Sequence, residues 1–334
     1  MRIALDAMGS DAAPASEIAG AVQALQESGE DLTLVLVGDR DTIEAGLSGL
    51  DPSSRARLEV VHAPDRILPE DSPAQAVRRR PNSSIVTGIR LHRDREVDAF
   101  VSAGSTGAVM AASLILLRPL PGVVRPAVGT LLPTAKGPRL MLDAGANIDC
   151  KPHQLLQFAR LGTIYAQDLM DIERPRVGLL NIGEEPGKGD ELSLAAYSLL
   201  KADSSLHFVG NVEGRDIIQG ACDVLVCDGF VGNVLLKFYE SVAEFIIELL
   251  TSEMERVGTT MDLEEVFRVL DYAEYGGAPL LGVNGVSIIC HGQSPPKAIR
   301  NAIAVATQAV RSRMVDHIAG ELADEIAAPG RQGS

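Results

Sequence analysis

The chain contains no tryptophan, and phenylalanine and tyrosine together bring the aromatic share to only 4%. That leaves little material for the stacking platforms that hold single-stranded nucleic acid. Basic residues are also scarce: 30 Lys plus Arg stand against 45 Asp plus Glu, a formal charge of −15. The bulk field therefore repels nucleic acid and anionic lipid, and tight binding to either needs a local basic patch. The four cysteines, Cys150, Cys222, Cys227 and Cys290, have neither zinc-site spacing nor the density of a secreted disulfide scaffold. They read as buried thiols in a reducing cytoplasm. Long hydrophobic runs are missing too. The longest, residues 108–117, covers ten positions and includes a serine, about half of what a membrane-spanning helix needs. Asp6 interrupts the first apolar run long before it becomes a signal-peptide core. No internal repeat, low-complexity tract or long Pro/Gly/Ser linker divides the chain.

What is present is a folded, soluble composition, 46% hydrophobic and 22% charged over 334 residues, long enough for two domains or one large α/β unit. Short β-rich runs alternate with longer helical patterns from end to end, the signature of a parallel sheet with crossover helices. Strands are expected at residues 3–5, 32–37, 58–61, 99–102, 128–132, 140–142, 177–181, 207–210, 224–227 and 287–290. Helices are expected at 16–27, 83–93, 106–117, 152–170, 192–201, 232–254 and 296–317, each with apolar residues three and four apart. The fold class is α/β with a mostly parallel sheet. The expected organisation is one α/β domain over residues 1–326, followed by a flexible tail at 327–334.

The strand ends carry clusters of Gly, Asn, Asp and Ser: DAMGSD at 6–11, SAGSTG at 102–107, DAGANIDC at 143–150, NIGEEPGKGD at 181–190, GNVEG at 210–214, DGFVGN at 228–233 and HGQS at 291–294. In open α/β sheets ligands bind at the carboxyl ends of strands, so seven clusters at corresponding places are expected to converge on one crevice. The SAGSTG run joins a strand to a helix. Its bare amides and hydroxyls suit a phosphate at a helix N-terminus, which assigns phosphate binding to Ser102, Gly104, Ser105 and Thr106. Ser105 or Thr106 as a plain helix cap is an equally open reading.

The stretch from Gly183 to Gly189 invites comparison with a nucleotide-binding P-loop. Only three residues separate Gly183 from Gly187 where four are required, and Gly189 stands in place of the magnesium-binding Ser or Thr. Lys188 nevertheless sits in a loop after a strand, where its ammonium is either a point charge for an anion or a solvated side chain. His207 and His291 stand alone, more in keeping with packed side chains than with a base. No Cys/His constellation has metal-ligand spacing, and neither a Gly-x-Ser-x-Gly elbow nor an intact Gly-x-Gly-x-x-Gly occurs. The site calls for electrostatic positioning, with no cofactor and no metal. Residues 78–95 hold Arg78, Arg79, Arg80, Arg90, Arg93 and Arg95 against Asp94 alone. This is either a solvated helix flank or a landing site for an acidic protein. Residues 232–254 are strongly apolar and 263–270 add a second amphipathic segment, so the stretch 232–271 is read as a dimer seam or a membrane-surface contact.

Together, DAMGSD, SAGSTGA, LDAGANIDC, NIGEE…GKG, GNVEG, CDGFVGN and YGGAPLLGVNG…HGQS, in this order over residues 1–317, resemble the acyl-ACP:phosphate acyltransferase family (PlsX). The resemblance implies a three-layer α/β/α fold like that of isocitrate and isopropylmalate dehydrogenases, in a cytoplasmic homodimer that touches the membrane peripherally. It also implies transfer of a fatty acyl group from acyl-ACP to inorganic phosphate, feeding phosphatidic acid and phospholipid synthesis. Ser10 replaces the second Gly usual in DAMGGD, and Ser105 the Asn usual in SAGNTGA. A phosphate oxygen is already nucleophilic, so such an enzyme needs only to bind it beside a thioester and stabilise an oxyanion. Lys188, Asn211 and Asn233 are the candidates for charge stabilisation or thioester orientation, Asp228 and His291 for support, and Arg78, Arg79, Arg80, Arg90 and Arg93 for ACP docking. Rival readings are a phosphate acetyltransferase using an acyl-CoA, a decarboxylating dehydrogenase, and a non-catalytic, membrane-docked ACP-binding scaffold.

Overall fold

A computed structural model describes residues 1–258 and 275–327. They gather into two compact units. The first comprises Met1–Pro126, Gln167–Asp171 and the described residues from Gly276 onward; the second comprises Ala127–Ala166 and the described residues from Ile172 to Tyr275.

In the first unit, strands β1 (Arg2–Asp6), β2 (Thr33–Gly38), β3 (Leu58–His62), β4 (Ala99–Ser102), β10 (Ala278–Leu281) and β11 (Val286–Ile289) line up in the order β3-β2-β1-β4-β11-β10. All neighbours are parallel except β10, which runs antiparallel to β11. Ile3, Ala4 and Leu5 are successive residues and all fully buried. A strand buried on both faces reads as a continuous apolar run, because helices cover the sheet above and below. The helix Ala15–Glu27 packs on Pro296–Arg311 so closely at Gly20 that a Cβ there would lie 2.6 Å from the Pro296 carbonyl oxygen. The helix Ser84–Arg93 does the same with Gly88 against the Phe100 ring.

In the second unit, β5 (Ala127–Leu132), β6 (Arg139–Leu142), β7 (Arg176–Leu180), β8 (His207–Val212) and β9 (Val224–Val226) take the order β5-β6-β9-β7-β8. Only the β5–β6 pair is antiparallel. The helix Pro152–Met170 lies on this sheet through Gly162, which faces Val224 and Leu142.

Ten expected strands are present, and β10 is additional. The glycines Gly276, Gly277 and Gly282 at positive φ, together with Pro279, disguise it as a loop, since proline gives no ladder N–H. The helix expected over 296–317 is two helices, Pro296–Arg311 and Met314–Ala327. Arg313 turns left-handed at φ 57° between them, a stop that carries no glycine signal. The helix expected to begin at residue 232 begins one turn earlier, giving Gly229–Val257, because Asp228 accepts from the Phe230 and Val231 amides as its N-cap. The amphipathic segment 263–270 lies outside the described residues; of the tail expected over 327–334, Ala327 closes the helix Met314–Ala327 and the rest lies outside the described residues.

Candidate functional site

Three parallel strands of the first unit end side by side. The register pairs Leu5 with Val101 and Ile289 with Ser102, so the loops opening at Asp6, Ala103 and Cys290 meet. The Asp6 carboxylate is fully buried between them. It accepts from the Ser102 hydroxyl at 2.7 Å and the Met8 amide at 3.1 Å. Burial pushes the Asp6 carboxyl above its ordinary value, opposed by the Ser102 and Ser84 hydroxyls and the Met8 N–H. The Ser102 oxygen in turn accepts from the Gly104 amide at 3.0 Å. Backbone bonds fasten the three loops, Cys290 N to Ser102 O and Asp11 N to Gly292 O, both 2.8 Å.

This arrangement separates the expected phosphate ligands. The Ser102 hydroxyl is fully buried and engaged with Asp6, and the Gly104 amide is engaged with Ser102, so both shape the loop. Ser105 and Thr106 are open to solvent, in part and fully. Ser105 is the N-cap of Thr106–Leu116, yet its side chain makes no capping bond. The first amides of that helix therefore keep the anion-binding capacity of an uncapped N-terminus. His291 is exposed, its Nδ1 accepting from the Gln293 amide at 3.3 Å.

The second unit repeats the pattern with four loops. Leu142 pairs with Val226, Val226 with Leu179, and Leu180 with Val212, so the strands carrying Asp143, Asp228, Asn181 and Asn211 end together. Asp143 is fully buried and accepts four N–H bonds: Val128 N at 2.9 Å, Ala146 N at 3.2 Å, Asn147 N at 2.6 Å and Asn147 Nδ2 at 2.9 Å. Burial raises its carboxyl against the pull of these donors. Gly229 donates to the Asn147 carbonyl at 2.7 Å, and Gly232 passes against the Asp143 carbonyl where no side chain fits. Asn233, exposed, follows at once beside Gly145.

Lys188 is exposed and no carboxylate pairs with its ammonium among the described residues. Its loop is tied down on both sides. Asn181 Nδ2 donates to the Lys188 carbonyl at 3.0 Å, and Asn211 Nδ2 donates to the Glu185 carbonyl at 2.9 Å. Asn211 is thus a buried brace for the Lys188 loop. Gly189 takes φ +104° and fits against the Asn181 amide, a conformation that favours glycine. Burial pushes the Cys222 and Cys290 thiols up to about 12 and holds Cys227 well above its ordinary value, so these three are held as inert thiols.

Sequence reasoning passed over Asp6, Arg66, Asp143, Asn147 and Asn181. The carboxylates and amides were inside the clusters, but nothing local told which were buried. Arg66 had no signal: it donates to the Gly9 and Ser10 carbonyls, 57 and 56 residues away in sequence, at 3.1 and 2.9 Å. Of the arginine stretch, Arg78 and Arg79 are exposed, and Arg93 pairs with Asp94 at 2.7 Å. Arg80 and Arg90 are half-buried and committed within the fold, Arg80 to Asp71 at 3.2 Å and to the Arg66 carbonyl, Arg90 to the Pro81 carbonyl.

The mostly parallel α/β fold is shared with solved phosphotransacetylases. The chain is similar to the EutD phosphotransacetylase from Staphylococcus aureus (TM-score 0.62, 17% identity, 93% of this chain and 94% of that one). It is also similar to a 4-hydroxythreonine-4-phosphate dehydrogenase from Klebsiella pneumoniae (TM-score 0.52, 14% identity, 93% and 98%). At such identities the likeness establishes the fold class alone. Residues 1–317 match the fatty acid synthesis protein family, and the chain belongs to that family. Relatives include the phosphate acyltransferases of Heliobacterium modesticaldum, 51% identical over 96% of this chain and 99% of the relative, and Desulforamulus reducens, 48% identical over 97% and 98%.

Proposed function

We propose that the protein transfers a fatty acyl group from the thioester of acyl-ACP to inorganic phosphate, releasing acyl phosphate and free ACP for phospholipid synthesis. Its relatives, phosphate acyltransferases at 51% and 48% identity, support the reaction class. The observation in the structure that carries the reading is the uncapped N-terminus of Thr106–Leu116 at the meeting point of three strand ends. There the helix amides and the Ser105 and Thr106 hydroxyls bind phosphate, with Ser102 and Gly104 holding the loop in shape.

A phosphate oxygen attacks the thioester carbonyl, the tetrahedral oxyanion collapses, the C–S bond breaks, and the proton of the phosphate passes to the departing thiolate. Within the second unit, Lys188 is the candidate point cation for negative charge and Asn233 the candidate partner of a thioester carbonyl, with Asn211 bracing the Lys188 loop. Arg78 and Arg79, with Arg93, receive acidic ACP. The exposed apolar side chains of Gly229–Val257, among them Val234, Phe238, Phe245 and Leu249, form the seam of a homodimer, and the end of that helix approaches the bilayer surface. None of the described helices is long and apolar enough to cross a membrane.

The test is purified protein with acyl-ACP, with and without phosphate, followed by mass spectrometry. Acyl phosphate formed only with phosphate supports the proposal; free fatty acid as the sole product identifies a thioesterase. A strong preference for acetyl-CoA over long-chain acyl-ACP would favour the acetyltransferase reading, to which the phosphotransacetylase-like fold also conforms.

A further inference from the structure

Glu17 lies in the first turn of the helix Ala15–Glu27, yet it is fully buried. Its Oε1 accepts from the Ser10 amide at 2.7 Å. Its Oε2 is buried without a hydrogen-bond partner. The Ser10 hydroxyl stands against the same carboxyl but makes no bond of good geometry. Burial, and the neighbouring Asp6 at the end of β1, push the Glu17 carboxyl above its ordinary value; Cys290, just beyond β11, is near enough for the Glu17 charge to raise its thiol. A half-satisfied carboxyl in this position destabilises the fold relative to an apolar side chain of similar size. Core packing gives no reason for it.

Its one bond reaches a loop with no freedom to move alone. Arg66 holds the Gly9 and Ser10 carbonyls at 3.1 and 2.9 Å. Gly9 is stacked on the neighbouring loop so tightly that a Cβ there would lie 2.7 Å from the Gly104 nitrogen and 2.9 Å from the Ala103 carbonyl carbon. Any shift of Ser10 and Gly9 therefore passes to Gly104, the residue immediately before Ser105 and Thr106.

We propose that Glu17 is a positioning residue for phosphate: acting through Ser10 and Gly9, it sets where Gly104–Thr106 lie without itself touching substrate. The inference rests on the reading of that loop as the phosphate site.

Steady-state rates against phosphate concentration, with thermal melting, are measured for Glu17→Gln, Glu17→Asp, Glu17→Leu and Thr106→Val. Glu17→Gln keeps an acceptor for the Ser10 amide, so KM for phosphate stays within about twofold of wild type. Glu17→Leu leaves that amide unpaired and raises KM for phosphate roughly tenfold or more, with KM for the acyl donor unchanged and kcat at saturating phosphate retained within about threefold. Glu17→Asp withdraws the carboxylate by one methylene and gives a smaller rise in the same parameter, which serves if the leucine variant does not fold. A folded Glu17→Asp or Glu17→Leu enzyme with wild-type KM for phosphate overturns the proposal, as does an equal loss in every parameter that Glu17→Gln shares. If Thr106→Val raises KM for phosphate and the Glu17 variants do not, the loop reading stands and Glu17 alone falls. If Thr106→Val also has no effect, the phosphate-loop reading falls with it.

Discussion

At Lys188 the backbone is anchored by two amides, Asn181 on the lysine's own carbonyl and Asn211 on that of Glu185, while the ammonium has no carboxylate partner among the described residues. Bracing an exposed cation in this way lowers the reorganisation needed when negative charge develops beside it. Lys188→Ala is expected to lose about 10²–10³ in kcat with an unchanged melting temperature. Lys188→Arg is expected to recover only part of this, since a planar fork replaces a compact charge. A folded alanine variant with wild-type kcat returns Lys188 to the solvated surface. His92 shows the opposite use of a titratable group. Val286 donates its amide to His92 Nε2 at 2.9 Å, so the proton sits on Nδ1 and faces the Val97 carbonyl at 3.1 Å. Burial pushes the His92 pKa below its ordinary 6.5. The unfolded chain then binds more protons between that value and the lowered one, so the stability this residue supplies is complete above pH 6.5 and is lost on acidification through the window. Urea denaturation from pH 7 to 5 should show stability falling, with a shallower fall in His92→Asn; equal slopes in the two proteins would remove His92 from the account.

Among the described elements, the helix Gly229–Val257 carries the densest run of exposed apolar side chains. At about 1.5 Å per residue its 29 residues extend roughly 43 Å, and Val234, Phe238, Phe245 and Leu249 are 53%, 67%, 63% and 57% exposed at successive spacings of four, seven and four. Single exposed apolar residues need no explanation, but a continuous stripe marks an interface. Leu250 and Met254, obvious from hydropathy alone, are half-buried; the outer face is made by Phe238, Phe245 and Leu249. Phe238→Asp with Phe245→Asp is expected to convert a dimer to monomer at micromolar concentration in analytical ultracentrifugation. An unchanged mass would remove this stripe from the seam.

For the molecule as a whole, a charge of −15 makes encounter with an acidic carrier protein unfavourable except where cations gather. Arg78, Arg79 and Arg95 are the exposed cations of residues 78–95 without an ion pair among the described residues, whereas Arg80 and Arg90 are engaged in holding their own loops. Reversing Arg78 and Arg79 to Glu should raise KM for acyl-ACP several-fold, weaken its dependence on ionic strength and leave KM for phosphate alone. An unchanged KM for acyl-ACP would place the docking surface elsewhere.

The α/β alternation was legible because strands covered on both faces must be continuously apolar, as in Ile3–Leu5 and Val224–Val226, and the crossover helices must carry a 3.6-residue period. The positions of the polar strand-end loops followed from the same logic, since glycine and short polar side chains gather where a parallel strand hands over to a helix. Local pattern did not reveal β10, whose proline and glycines imitate a turn, or the break at Arg313, where an ordinary side chain takes a left-handed conformation. Nor did it divide the loop residues by role. Ser102 and Ser105 are three positions apart and chemically alike, yet one is sealed against Asp6 and the other opens to solvent. Which of two such residues faces a ligand depends on partners brought from 96 residues away, as with Asp6 and Ser102, or 57, as with Gly9 and Arg66. By itself the sequence determined the alternation of elements and the chemistry available at the strand ends, because these depend on neighbours along the chain. The tertiary structure alone decided which carboxylates are buried, which amides are already bonded and which cations are committed to partners, because burial and hydrogen bonding are properties of groups that meet only when the chain is folded.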